Sequence, residues 1–145
     1  MDFGKKKILP NGWKLAEIQD LSLLEEMEKI VFERSAWARF SIQSHLEHHF
    51  AWLKEGVGYL FYVDLGDSLE LLRIGILPSK RKSGEGETIL RTLCEFSSKV
   101  LLEVSSRNPP ALNLYHKLGF KELGIRKSYY GPGEDAILME WAKTD

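Results

Sequence analysis

Hydrophobic and polar residues alternate with two different periods along the chain. Runs in which every second residue is apolar are typical of strands, and apolar residues three or four positions apart are typical of helices. On this basis we expect strands at residues 13–18, 58–64, 68–77, 100–104, 120–130 and 135–141. We expect helices at residues 22–34, 41–50, 88–98 and 109–118. The elements therefore follow one another in the order β, α, α, β, β, α, β, α, β, β.

Turn and capping residues place the ends of several of these elements. Residues 65–67, Leu-Gly-Asp, join the second and third predicted strands, which indicates an antiparallel hairpin. Ser22 and Glu25 have the spacing of a capping box at the start of the first helix. Asn108 and Pro109 are residue types preferred at the N-cap and at the first position of a helix. The pattern predicts an α/β protein with a mixed sheet.

Length and composition are those of one globular domain. The chain has 145 residues, of which 43% are hydrophobic and 28% charged, so we expect a single domain over residues 1–145. The single cysteine, Cys94, excludes an internal disulfide framework and suits a reducing compartment. Its position on the apolar face of a predicted helix indicates a core residue. A formal net charge of −1 argues against a general nucleic-acid-binding protein.

The sequence has no feature of a membrane or export signal. No apolar run reaches the length of about 18 residues that a membrane span requires. The basic start, residues 1–7, is not followed by the apolar stretch of a signal peptide. We therefore expect a cytoplasmic protein without a membrane partner.

Three histidines lie close together in the second predicted helix. His45 and His49 are four residues apart and would share a helix face, as metal-binding pairs do, and His48 lies between them. No cysteine or carboxylate partner accompanies them. We therefore expect three polar surface histidines and no metal site.

A glycine-containing loop joins the third predicted strand to the third predicted helix. Its sequence at residues 81–87 is Arg-Lys-Ser-Gly-Glu-Gly-Glu. Gly84 and Gly86 allow positive φ angles and lack the Cβ atoms that would keep a ligand away from the backbone. The loop N–H groups and the positive end of the following helix can then hold a phosphate. An ordinary turn would also explain two glycines, and Glu85 and Glu87 place negative charge where an anion would bind.

Further sequence runs follow the loop. Residues 102–120 read L-E-V-x-x-x-N-x-x-A-x-x-L-Y-x-x-L-G-F, residues 126–130 read R-x-x-Y-Y, and residues 134–139 read E-D-A-x-x-M. Together with the loop, they resemble RimI-type protein N-terminal acetyltransferases of the GNAT superfamily, over roughly residues 73–139. The resemblance implies the GNAT fold, an α/β architecture with a central, mixed, mostly antiparallel sheet of six to seven strands flanked by about four helices.

Two residues of these runs are candidate catalytic groups. Glu103 stands in the middle of an apolar strand, where a carboxylate must be neutral, paired or beside an open cleft. An edge carboxylate facing water is the alternative, whereas the resemblance implies a general base. The position of Tyr115 on an apolar helix stripe favours a core tyrosine with a satisfied hydroxyl. The resemblance implies instead a general acid that protonates the departing CoA thiolate.

The resemblance also implies acetyl-CoA as the cosubstrate, no metal, and the N-terminus of a protein or peptide as the acceptor, with ribosomal proteins as candidates. The residues implied in cofactor binding are Ile74, Ile76, Arg81, Lys82, Ser83, Gly84, Glu85, Gly86 and Asn108. Those implied in acceptor binding are Trp37, Tyr129, Tyr130 and Glu134. Because Tyr129 and Tyr130 are successive strand residues, we expect them to face opposite sides of the sheet.

Two other functions remain open at this point. The same scaffold could acetylate a small-molecule or lysine amine. A degenerate domain could instead bind acyl-CoA or a partner protein without turnover. The presence of both Glu103 and Tyr115 favours an enzyme, and the acidic residues of the loop favour a degenerate domain.

Overall fold

The computed structural model describes residues 8–144, in which seven strands form one sheet. The strands are β1 (Lys14–Leu15), β2 (Phe50–Lys54), β3 (Gly58–Asp64), β4 (Leu69–Ile76), β5 (Lys99–Ser105), β6 (Lys121–Gly131) and β7 (Glu134–Ala142). The α-helices of this region are α1 (Leu21–Phe32), α2 (Arg39–His48), α3 (Glu85–Glu95) and α4 (Pro109–Lys117). Short 3-10 turns cover Ile18–Asp20, Glu33–Ser35 and Pro78–Lys80. The basic start of the chain, residues 1–7, lies outside the described residues.

The strand order is β1-β2-β3-β4-β5-β7-β6. Every neighbouring pair is antiparallel except β4 and β5, which are parallel. The predicted fold class, a mixed and mostly antiparallel sheet with about four helices, is confirmed. No helix within residues 8–144 is long and apolar enough to cross a membrane.

The two faces of the sheet carry separate hydrophobic cores. Successive strand residues point to opposite faces, so in β3 Tyr59 and Phe61 join one core while Leu60 and Tyr62 join the other. The first core contains buried residues of α1 and α2, and we call this side the α1–α2 face. The second contains buried residues of α3 and α4, and we call it the α3–α4 face. Cys94 of α3 is buried in this second core, as predicted, and burial raises the pKa of its thiol to about 12.

Strand β2 is absent from the sequence-based prediction, which extended the second helix to residue 50. Ala51, Trp52 and Leu53 of β2 are all buried, because the strand lies between β1 and β3 and both of its faces are covered. A strand buried on both faces has no alternation of polar and apolar residues, so the period-two signal is missing. The first strand was predicted at residues 13–18 and is shorter in the structure, where it covers Lys14–Leu15.

The capping predictions have different outcomes. The prediction of a capping box at Ser22 and Glu25 is wrong, because α1 begins one residue before Ser22 and the N-cap residue of this helix is Asp20. The Asp20 carboxylate accepts a hydrogen bond from the Glu17 N–H at 2.9 Å and so belongs to the preceding 3-10 turn. The predicted cap of α4 is confirmed, since the side chain of Asn108 accepts a hydrogen bond from a backbone N–H of the first helical turn at 3.3 Å.

The three histidines do not share one environment. His45 is buried, so the expectation of a surface residue is wrong for it. Its Nε2 donates to the Phe50 carbonyl at 2.7 Å, and burial lowers the pKa of the ring. His48 and His49 are exposed. His45 thus stabilises the junction between α2 and β2.

Candidate active site

The parallel strands β4 and β5 separate part-way along their length. They pair only from Leu69–Val100 to Leu71–Leu102, although β4 continues to Ile76 and β5 to Ser105. The register of β4 against β3 also shifts at this point, which leaves Leu72 as the extra residue of a β-bulge. Because a bulge bends its strand and changes which side chains face each way, the two strands diverge into a fork.

A cleft of about 480 Å³ fills this fork. Its lining includes Ile74, Glu103, Asn108, Tyr115, Tyr130 and Glu134, all of which were singled out in the sequence. Residues separated by more than 50 positions in the chain therefore meet in one cavity because the sheet opens there.

Glu103 lies on the β5 arm of the fork, directly after the last paired residue. It points away from the α3–α4 core, in which its neighbours Leu102 and Val104 are buried. Its side chain is 27% exposed, and its Oε1 lies 3.4 Å from Nη2 of the more exposed Arg126. Although β5 is an interior strand of the sheet, its pairing with β4 ends at Leu102, so Glu103 stands beside the open cleft. A solvent-exposed ion pair of this kind is weak, so a substrate cation can replace Arg126.

Tyr115 reaches the cleft from the α3–α4 face. Its ring is buried, and the centroid of this ring lies 5.6 Å from the ring centroid of Phe120. The residue lines the cleft, and burial acts on the pKa of its phenol without a hydrogen-bond contribution, so the hydroxyl differs from that of the satisfied core tyrosine that its spacing suggested. Burial raises the pKa of the phenol to about 12, and the group therefore stays protonated at neutral pH. It can act as a proton donor.

The remaining polar residues of the cleft form a cluster near Glu103. Ser105 donates a hydrogen bond to Oε2 of Glu134 at 2.5 Å. Burial raises the pKa of the Tyr130 hydroxyl, and the nearby Glu103 carboxylate raises it further. Arg73 acts in the opposite direction and lowers this pKa. Two carboxylates, a phenol and a guanidinium thus surround the α1–α2 side of the fork.

The predicted alternation of Tyr129 and Tyr130 is wrong. Pairing of β6 with β7 is interrupted at residues 127–130, where Ser128 has a φ of 53° and donates its N–H to the Asp135 carboxylate at 2.8 Å. The two tyrosine rings lie edge to face with centroids 5.2 Å apart, and both are exposed. Of the two, only Tyr130 lines the cleft within the described residues.

The open side of β4 exposes backbone groups to the fork. The Leu77 N–H donates to the Val57 carbonyl at 2.8 Å, so the backbone of Leu77 points away from the fork, as in the β3–β4 pairing. Because backbone direction alternates along a strand, the N–H and C=O groups of Ile76 and Ile74 point the other way. Consistent with this, Arg81 Nε donates to the Ile76 carbonyl at 3.1 Å. Beyond Leu71 this edge of β4 is not paired with β5, so an extended ligand can hydrogen-bond to its groups other than the Ile76 carbonyl.

The loop after β4 has the backbone geometry of an anion site. Lys82 and Gly84 have φ angles of 64° and 85°, and Gly84 is the N-cap residue of α3. A Cβ atom at Gly84 would have no other atom within 4 Å, so the space in front of the helix N-terminus is open. Ser83 closes the turn by donating to the Lys80 carbonyl. These residues fit the diphosphate of acetyl-CoA, because free N–H groups and the helix dipole favour an anion there.

The two acidic residues of the loop are paired with cations. Glu85 accepts hydrogen bonds from Lys54 of β2 at 3.0 and 3.1 Å. Glu87 lies 2.7 Å from Lys117 of α4, and this hydrogen bond lowers the pKa of Glu87. The negative charges that argued against an anion site are therefore neutralised by residues that sequence analysis did not connect with the loop.

Comparison with known proteins assigns the family. The sequence model of the Acetyltransferase (GNAT) family matches residues 15–120. The chain belongs to the GNAT family. A Bacillus subtilis relative, named provisionally as a ribosomal protein bS18-alanine N-acetyltransferase, is 33% identical over 135 residues, which are 84% of this chain and 89% of that protein.

Solved structures show the same fold. The crystal structure of the ribosomal-protein-S18-alanine N-acetyltransferase from Escherichia coli superposes with a TM-score of 0.80 at 24% identity, over 92% of this chain and 95% of that one. The yncA protein from Salmonella typhimurium, named provisionally as an acetyltransferase and solved with acetyl-CoA, gives a TM-score of 0.73 at 15% identity over 92% and 94% of the two chains. The resemblance inferred from the sequence is confirmed.

The GNAT domain also contains a buried ion pair that sequence analysis missed. Glu28 of α1 has no exposed surface, and its Oε2 lies 2.9 Å from Nη2 of Arg73, which lines the cleft. The Glu28 carboxylate also accepts hydrogen bonds from the Tyr59 hydroxyl and from the Trp37 N–H, the latter at 2.6 Å. The available signal was the position of Glu28 four residues after Leu24, on the apolar face of α1.

Trp37 is placed beside the cleft and not in its lining. Its ring stacks on Phe61 with centroids 5.3 Å apart, on the α1–α2 face. It borders a separate hollow of about 340 Å³ together with Phe40 and His45. Its backbone N–H donates to Glu28, the partner of the cleft residue Arg73, and the Arg73 guanidinium lies 5.6 Å from its ring centroid.

Proposed function

We propose that this GNAT protein is an acetyl-CoA-dependent N-acetyltransferase that acetylates the N-terminal α-amine of a protein, of the ribosomal-protein type. The observation that carries the proposal is the fork, which brings Glu103 from one face of the sheet and Tyr115 from the other to a single cleft. A carboxylate and a protonated phenol on opposite sides of a cavity can remove a proton from one group and supply a proton to another.

In the proposed reaction, Glu103 acts as general base and Tyr115 as general acid. Acetyl-CoA supplies the acetyl thioester. Glu103, directly or through water, takes a proton from the acceptor ammonium, the new N–C bond forms, and the C–S bond breaks. Tyr115 gives its proton to the departing sulfur and is reprotonated by the second proton lost from the nitrogen. One proton is released to water for each acetyl group transferred.

The binding roles follow the same division. We assign the diphosphate to the loop at residues 81–86 and the amide-bearing arm of CoA to the backbone edge of Ile74 and Ile76, with Asn108 beside it. We assign the acceptor to Tyr130 and Glu134, with Tyr129 and Trp37 at its periphery. These assignments are supported by the unpaired edge of β4 and the open space at Gly84 on one side, and by the cluster of polar side chains on the other.

An α-amine suits this site better than a lysine side chain. An α-amine has a pKa near 8 and a lysine near 10.4, so their neutral fractions at pH 7 differ by about 200-fold. A carboxylate therefore removes a proton more readily from the ammonium form of an α-amine than from that of a lysine side chain. Because relatives carry the names of bS18-alanine N-acetyltransferases, we propose a ribosomal protein as the acceptor and the cytoplasm as the location, with residues 1–145 forming a single domain.

The proposal is tested with acetyl-CoA and a library of peptides that contain both free α-amines and internal lysines. Mass spectrometry should find acetyl groups mainly on the α-amines. Acetylation mainly of lysines would support the alternative acceptor instead. Binding of acetyl-CoA without turnover of any amine would indicate the non-catalytic alternative.

A further inference from the structure

Arg73 faces Glu103 across the fork. Arg73 lies two residues beyond the last paired residue of β4, with the extra bulge residue between them, and Glu103 lies one residue beyond the last paired residue of β5. Because the strands are parallel, the two residues stand at a similar level on opposite arms. Both belong to the α1–α2 face, where Arg73 contacts Glu28 of α1. The pair thus borders the region assigned to the acceptor.

The guanidinium of Arg73 is fixed in one orientation. Its Nε donates to Glu28 at 3.1 Å, and its Nη2 donates to the Ser35 carbonyl at 2.6 Å. The guanidinium carbon lies 3.6 Å from the centroid of the Phe32 ring, so the plane is also supported by an aromatic face. A donor group held in this way loses little conformational entropy when it binds a ligand.

One end of this guanidinium remains available. A guanidinium carries five N–H donors, and Nη1 of Arg73 donates no hydrogen bond within residues 8–144. The side chain keeps 18% of its surface exposed, and the residue lines the cleft. The buried Glu28 balances its charge, so a nearby ammonium is not strongly repelled. The free end is suited to a neutral oxygen acceptor more than to an anion.

We propose that Arg73 determines acceptor specificity by donating a hydrogen bond from Nη1 to the carbonyl oxygen of the acceptor's first residue. This inference rests on the proposed function. The carbonyl of a peptide N-terminus lies two bonds from its α-amine, whereas a lysine ε-amine has no carbonyl nearby. Glu103 and Glu134 for the ammonium, with Arg73 for the carbonyl, together match the N-terminal end of a peptide backbone.

The test uses two peptides, each of which differs from an unmodified peptide in one atom. In the first, the oxygen of the first peptide bond is replaced by sulfur, a weaker hydrogen-bond acceptor that introduces no charge. In the second, a control, the same replacement is made in the second peptide bond. Steady-state kcat/KM is measured for each peptide with the wild type, with Arg73→Lys, and with Arg39→Lys as a matched control outside the cleft. Arg73→Lys keeps a cation for Glu28 but removes the forked donor.

The wild type and Arg39→Lys should lose about tenfold in kcat/KM with sulfur in the first peptide bond, as expected for a hydrogen bond to a charged donor. With Arg73→Lys this loss should fall below about twofold. An equal loss in all three proteins would overturn the inference about Arg73 and leave the proposed function unaffected. Failure of the wild type to acetylate the unmodified peptide would overturn the proposed function and this inference with it. Should Arg73→Lys not fold, the double variant E28Q/R73Q, which removes both charges of the ion pair, provides the same ratio.

Discussion

The two faces of the fork hold their charges in different ways. On the α1–α2 face, the Glu28 carboxylate is buried, and its ion pair with Arg73 is held by hydrogen bonds to Glu28 from β3 and from the segment after α1. On the α3–α4 face, the pairs of Glu85 with Lys54 and of Glu87 with Lys117 are partly exposed. The face assigned to the acceptor therefore contains an ion pair that is fixed in place. The face assigned to the cofactor relies on backbone N–H groups, around which surface charges can vary.

The catalytic candidates follow the same contrast. Glu103 is partly exposed and has only a weak ion-pair partner, so it can exchange protons with a substrate and with water. Tyr115 is buried and its pKa is raised to about 12, so it is protonated at neutral pH and has a proton to donate. In the proposed reaction, proton removal therefore belongs to the α1–α2 face and proton donation to the α3–α4 face.

Substitution of Glu103 should have the largest effect. Glu103→Gln keeps the size of the side chain and removes the base, so turnover of a peptide acceptor at neutral pH should fall by about 10²–10⁴-fold. Glu140→Gln is a matched control, because Glu140 lies on β7 and pairs with Lys99 outside the cleft. Steady-state kinetics with both variants measures the difference. Near-normal turnover by Glu103→Gln would remove the base from the proposed mechanism.

Substitution of Tyr115 should have a comparable effect on turnover and little effect on binding. Tyr115→Phe should lower kcat by about 10²–10⁴-fold while calorimetry finds a nearly unchanged Kd for acetyl-CoA. Tyr62→Phe provides the control, since Tyr62 is buried in the same core and its pKa is also raised to about 12. If the two tyrosine variants behaved alike, Tyr115 would be a core residue only.

Charge changes around the loop should have the smallest effects. Lys54→Gln leaves Glu85 unpaired near the proposed diphosphate site and should weaken acetyl-CoA binding by about fivefold, more at low salt than at high salt. Glu85→Gln removes the negative charge and should tighten binding by no more than about tenfold. Calorimetry at two salt concentrations checks both. If neither the wild type nor Glu85→Gln binds at millimolar concentrations, the loop is a turn and not a cofactor site.

The sequence predicted those parts of the fold that local pattern determines. Strands with one buried face, amphipathic helices and the cap at Asn108 are visible within a few residues of sequence. Strand β2 was missed because both of its faces are buried. The interruption at residues 127–130 was missed because it depends on how β6 meets β7, for which Lys-Ser-Tyr-Tyr gives no local signal.

The candidate site was predicted in part, and the parts that were missed also depend on contacts between distant segments of the chain. Glu103, Tyr115 and the loop stand in recognisable runs. The ion pairs around them join residues far apart in the chain: Arg73 and Glu28 are 45 positions apart, and Lys54 and Glu85 are 31 apart. Tertiary packing decides which of these residues meet, and the periodic pattern of apolar residues along the chain does not show which distant residues come together.

The central claim is that Glu103 serves the acceptor amine and Tyr115 serves the leaving sulfur. The most direct test is the pH dependence of kcat/KM for Glu103→Gln and Tyr115→Phe, each relative to the wild type, from about pH 6 to about pH 9. As the pH passes the pKa of the α-amine, the acceptor loses its proton without help, so the deficit of Glu103→Gln should shrink. Tyr115 stays protonated over this whole range because its pKa is about 12, so the deficit of Tyr115→Phe should not change. Deficits with the same pH course in both variants would contradict this division of roles.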